Sequence, residues 1–73
     1  MKRMWIRLKE GQDLTAVKRM LGELGRIEED PDDPRRVVLT FRNQSDSGIL
    51  MAGYQMSENY MEYFDDFDMI REE

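Results

Sequence analysis

Three consecutive blocks decide the fold: Arg35-Arg36-Val37-Val38-Leu39-Thr40-Phe41-Arg42, then Asn43-Gln44-Ser45-Asp46-Ser47-Gly48, then Ile49-Leu50-Met51-Ala52-Gly53-Tyr54. The first is β-branched and aromatic, which suits a pleated, half-buried strand. The second is polar and rich in turn-forming side chains. The third is a short apolar run bounded by turn signals, so the whole stretch predicts two strands joined as an antiparallel hairpin.

Upstream, Met4, Ile6 and Leu8 alternate with Trp5, Arg7 and Lys9, the period-two pattern of a strand with one wet face. Gly11 and Gln12 turn the chain. Asp13 is placed to N-cap a helix whose Leu14, Val17, Leu21 and Leu24 share one stripe, with Gly25 expected as a left-handed C-cap. Residues 26–29 predict a short strand with Ile27 inward. Asp30-Pro31-Asp32-Asp33-Pro34 reads as a loop, because proline lacks the N–H that a central strand needs. The expected class is α+β: a small three- or four-stranded, mainly antiparallel sheet with one packed helix, in a βαββ-like order.

Beyond Ser57, an N-cap candidate, Tyr60, Tyr63, Phe64, Phe67 and Ile70 recur at helical spacing among acids. Two arrangements compete for this segment. As a packed helix it lays Tyr60, Phe64, Phe67 and Ile70 over the sheet near Trp5, Val38 and Leu50. As a mobile tail it folds only on a basic, apolar groove of a partner. The chain therefore divides into a compact body, 1–56, and an acidic aromatic C-terminal segment, 57–73.

The chain has 73 residues, enough for one domain and for one thin core. Eleven Lys and Arg face sixteen Asp and Glu, for a net charge of −5, which disfavours a protein that simply coats nucleic acid. The charge is uneven: residues 1–26 hold seven bases against three acids, 27–34 hold five acids and no base, and 54–73 hold seven acids against one base. His and Cys are absent, removing imidazole acid–base work, thiol chemistry and the usual zinc ligands. Asp30, Asp32 and Asp33 resemble the start of a calcium loop but lack its glycine and distal glutamate. Asp65, Asp66 and Asp68 do not form a carboxylate dyad. Gly22 and Gly25 close a helix, whereas a phosphate cradle opens one. No catalytic, cofactor or metal residue is assigned, and the protein is expected not to be an enzyme.

No apolar run is long enough to cross a membrane as a helix, and no signal-peptide core precedes Arg7, so a cytoplasmic location is expected. Lys2, Arg3, Arg7 and Lys9 flank Trp5, with Lys18, Arg19 and Arg26 nearby; a stacking platform for single-stranded nucleic acid is one reading of this face. An ordinary solvated face is the other, and the acidic tail would repel phosphate, so direct nucleic-acid binding is disfavoured. Seven methionines supply adaptable apolar surface for a core or for a partner.

The basic strand around Trp5, the hairpin and the tail Tyr60-Met61-Glu62-Tyr63-Phe64-Asp65-Asp66-Phe67 together resemble small phage-encoded regulators that bind bacterial RNA polymerase. The likeness is one of size, a compact αβ body and a charged terminal segment. It implies a non-enzymatic, protein-binding inhibitor that acts on transcription initiation by occlusion, in the host cytoplasm. Interface energy concentrates on Trp, Tyr and Arg, and the expected partner-binding residues are Trp5, Arg7, Lys9, Tyr60, Phe64 and Phe67. The protein is expected as a monomer or a weak homo-oligomer, the alternatives being a small nucleic-acid module on the basic N-terminal face and a structural oligomer subunit.

Overall fold

The computed structural model describes residues 1–71. Four strands and two helices follow one another as β1 (Arg3–Leu8), α1 (Leu14–Leu21), β2 (Gly25–Asp30), β3 (Asp33–Phe41), α2 (Asp46–Asn59) and β4 (Phe64–Ile70), with a short 3-10 turn at Met61–Tyr63 before β4. The strands form one sheet in the order β2-β3-β1-β4, and every neighbouring pair is antiparallel. This is the βαββαβ connectivity of the ferredoxin-like split βαβ motif, two interleaved units with each helix crossing over a strand of the other. The class is α+β with a small antiparallel sheet. Among the described residues no helix is long and apolar enough to cross a membrane.

β1 follows its alternation. Met4, Ile6 and Leu8 are buried, and Arg3, Trp5 and Arg7 face the other side. The core lies between the sheet and the helices, built from these residues with Val17, Leu21 and Leu24 and with Val37, Leu39 and Phe41 of β3. α1 begins where its cap predicts: Asp13 Oδ1 accepts from the backbone N–H of Thr15 at 3.0 Å and of Ala16 at 3.3 Å, satisfying donors that a helix start leaves open.

Gly25 is not the left-handed C-cap. That end is closed at Gly22, in right-handed geometry, and Gly25 instead starts β2. A Cβ there would stand 2.0 Å from the Thr40 carbonyl oxygen, so only glycine lets β2 meet β3 at this point.

The Asp30–Pro34 stretch is a tight connection instead of a loop. Asp30 pairs with Asp33 across Pro31-Asp32, and Asp30 Oδ1 accepts from Asp32 N–H at 2.8 Å, a local side-chain turn. Pro34 lies inside β3, a central strand. It fits because the β2–β3 register passes from Asp30–Asp33 directly to Glu29–Val37, leaving Pro34 in an irregularity where no ladder N–H is required.

Two expectations fail downstream of β3. Ile49–Tyr54 is not a strand; it lies within the fourteen-residue α2. Ser45 takes the N-cap, its Oγ accepting from Gly48 N–H at 3.0 Å, and Asp46 adds a carboxylate to the first turn, where the helix dipole favours it. Lys2 Nζ donates to Asp46 Oδ1 at 2.6 Å, and that hydrogen bond, with the lysine's charge, holds the Asp46 carboxyl below its ordinary pKa.

Among the described residues the C-terminal segment is neither one packed helix nor a free tail: 57–59 end α2 and most of the rest is strand, while 72–73 lie outside the described residues. Phe64–Ile70 forms β4 and pairs with β1 from Arg3–Ile70 to Leu8–Phe64, with one irregularity between Arg7 and Leu8. Asp65, Asp66 and Asp68 are weak helix formers, and the segment pairs along the edge of β1 that β3 leaves open. A boundary at 56/57 falls inside α2.

Candidate docking surfaces

One face of the sheet carries no helix. Along β1 it presents Arg3, Trp5 and Arg7, and the register brings Thr40, Val38 and Arg36 of β3 to one side and Ile70, Asp68 and Asp66 of β4 to the other. Trp5 stands half-buried at the centre with the Arg36 guanidinium 5.1 Å from its ring centroid, a cation–π contact.

The bases of this face are already engaged. Arg7 Nη2 pairs with Asp33 Oδ2 at 2.8 Å and Arg36 Nη1 approaches Asp30 Oδ2 at 3.6 Å. Arg26 lies 3.5 Å from Glu28 at the β2 edge. Asp68 stands directly across from Trp5 and Asp66 across from Arg7. A phosphate backbone laid over Trp5 would therefore meet two aspartates along β4, fixed in the sheet and unable to swing aside. Elsewhere Lys18 pairs with Glu29, and Arg35 pairs with Asp65 while its Nε donates to the Leu8 carbonyl at 2.9 Å. Among the described residues no group of three or more Asp or Glu side chains is arranged to hold a metal ion.

The six expected partner-binding residues do not form one surface. Trp5 and Arg7 share the open face. Lys9 follows β1, exposed, and its N–H donates to the Tyr63 carbonyl at 2.8 Å. Tyr60 and Phe64 are buried in the core, where they close the end of α2 and the start of β4, and neither is available as a surface anchor. Phe67 is exposed, with Phe64 edge-on to it at 6.3 Å between ring centroids.

The exposed apolar surface lies elsewhere. α2 buries Ala52 and Met56 but leaves Leu50 73%, Met51 65% and Tyr54 60% exposed, and β4 leaves Phe67 41% and Met69 37% exposed. Met51 borders a shallow open groove with Leu24, Phe41, Arg42 and Gln55. Reading 49–54 as a strand hid the α2 residues. Helical spacing from the Ser45 cap separates Ala52 and Met56 from Leu50 and Tyr54, and is the signal that exposes them.

No protein family matches the chain, and no curated protein or solved structure matches it either.

Proposed function

We propose that the protein is a non-enzymatic docking module that acts by binding another protein. The observation that carries this reading is α2: a fourteen-residue helix that keeps three large apolar side chains, Leu50, Met51 and Tyr54, more than half exposed. Scattered surface hydrophobics are ordinary, but a run of them along one element is what partner surfaces look like. Tyr is also among the residues that most often dominate interface energy.

The first partner to test is bacterial RNA polymerase, which the sequence resemblance nominates, with regulation of initiation by occlusion as the consequence. Immobilised protein should retain purified polymerase, and Leu50→Glu and Tyr54→Ala should each abolish retention while leaving the circular dichroism spectrum unchanged. If polymerase is not retained, the same three baits in cell extract decide the broader reading. A partner held by the native chain and lost from both variants supports docking through α2; identical capture by all three baits overturns it.

A further inference from the structure

The pairing of β1 with β3 fixes the direction of every β4 amide. Phe41 N–H donates to the Lys2 carbonyl at 3.4 Å, one step beyond the Arg3–Thr40 pair. Antiparallel ladders alternate hydrogen-bonded with non-hydrogen-bonded pairs. Lys2, Met4, Ile6 and Leu8 therefore turn their backbone groups to β3, and Arg3, Trp5 and Arg7 turn theirs to β4. Their partners Ile70, Asp68 and Asp66 are used on β1. Phe67 and Met69 point their N–H and C=O groups outward, along the free edge of the sheet.

Those two outward donors are held by neighbouring carboxylates. Asp66 Oδ1 accepts from Phe67 N–H at 2.9 Å, and Asp68 Oδ1 accepts from Met69 N–H at 2.8 Å. Among the described residues neither aspartate takes part in an ion pair. The acids of the opposite edge differ, since Glu28, Glu29 and Asp30 of β2 all have basic partners. Among the described residues, aspartates outside any ion pair, exposed apolar side chains and outward backbone groups thus coincide on β4.

We propose that the free edge of β4 accepts an extended basic segment of a partner protein as a fifth strand, a proposal that rests on the docking reading above. Lysine or arginine side chains on one face of the incoming strand pair with Asp66 and Asp68, and apolar side chains on its other face lie beside Phe67 and Met69. Each arriving cation draws a carboxylate off its amide, freeing that N–H for a carbonyl of the incoming strand. A second copy of the chain is the wrong occupant. Two β4 edges paired antiparallel about Phe67 would set Asp66 of each copy against Asp68 of the other, and like charges directly opposite destabilise a strand pair.

The test uses the full chain and two blocked peptides of about eight residues, an ordinary strand length, one alternating lysine with valine and the other glutamate with valine. The lysine peptide should slow hydrogen exchange at the Phe67 and Met69 amides and bind more weakly as salt is raised; the glutamate peptide should not bind. Asp66→Asn with Asp68→Asn should weaken binding about tenfold or more. Met69→Pro removes an outward N–H that makes no bond to β1, so it should keep the native spectrum and lose the peptide. Should that variant fail to fold, the double asparagine variant decides. Equal binding of both peptides, no binding of either, shifts confined to Leu50, Met51 and Tyr54, or a sedimenting dimer paired through β4 would each overturn the fifth-strand proposal. None of these results touches the partner-capture experiment, so the two readings fail separately.

Discussion

Gly53 and Gly25 carry opposite consequences for the same substitution. Gly53 sits inside α2 with nothing within 4 Å of the place a Cβ would occupy, and its φ is not positive. Gly53→Ala should therefore stabilise the protein by about 0.5–1 kcal/mol, the helix-interior difference between these residues, seen as a higher urea midpoint with an unchanged slope. At Gly25 a Cβ would meet the Thr40 carbonyl oxygen at 2.0 Å and the Arg42 nitrogen at 2.9 Å. Gly25→Ala must push β2 away from β3, at a cost of about 1–3 kcal/mol, as for other overpacked sites. Asp46 offers a third test at this scale, through pH. Its pKa is lowered by the Lys2 hydrogen bond first and the lysine's charge second. The sign follows from linkage: the contact's contribution is present above the ordinary aspartate pKa and is lost as pH falls through the lowered one. In Lys2→Met the Asp46 carboxyl should titrate back toward the ordinary value, read by carbon-13 NMR of that side chain; an unmoved titration would mean that Lys2 is not its partner in solution.

The elements stand on caps and register more than on hydrophobic pattern. α2 depends on Ser45, whose Oγ accepts from Gly48 N–H; Ser45→Ala should cost about 1 kcal/mol, the usual loss on removing an N-cap, measured by chemical denaturation. Legibility in the sequence divides along the same line. The strand through Met4, Ile6 and Leu8, the Asp13 cap and the strand through Val37, Leu39 and Phe41 could be read because alternation and capping are local signals. Ile49–Tyr54 could not be assigned by pattern, since a short continuous apolar run fits a strand and a buried helix equally. What settles it is tertiary: the chain must cross back over the sheet to place β4 beside β1. The aromatic spacing of the C-terminal segment has a cause other than a single helix. Tyr60 ends α2 and Phe64 starts β4, so their separation reflects a junction between two elements. Of the expected partner-binding residues, Phe67 is exposed on an edge, whereas Tyr60 and Phe64 were drawn inward because the core needs large side chains where helix passes into strand.

At the scale of the whole molecule, the sheet is assembled from both ends of the chain, since β1 lies between β3 and β4. The total stability of a domain this size is only about 4–11 kcal/mol. Ending the chain after Ser57 would remove Tyr60 and Phe64 from the core and the whole of β4 from β1. Deleting one large buried aromatic side chain commonly costs about 3–5 kcal/mol, so losing both consumes most or all of what is available. The backbone groups that Arg3, Trp5 and Arg7 turn toward β4 would also open to solvent as a fresh strand edge. Such a truncated chain should show no cooperative thermal transition and no ordered near-ultraviolet signal from Trp5, and its failure to bind a partner would report unfolding instead of a missing contact. A cooperative melt from that truncation would overturn this architecture, because it would mean that the first 57 residues close a core without the strand that here completes it.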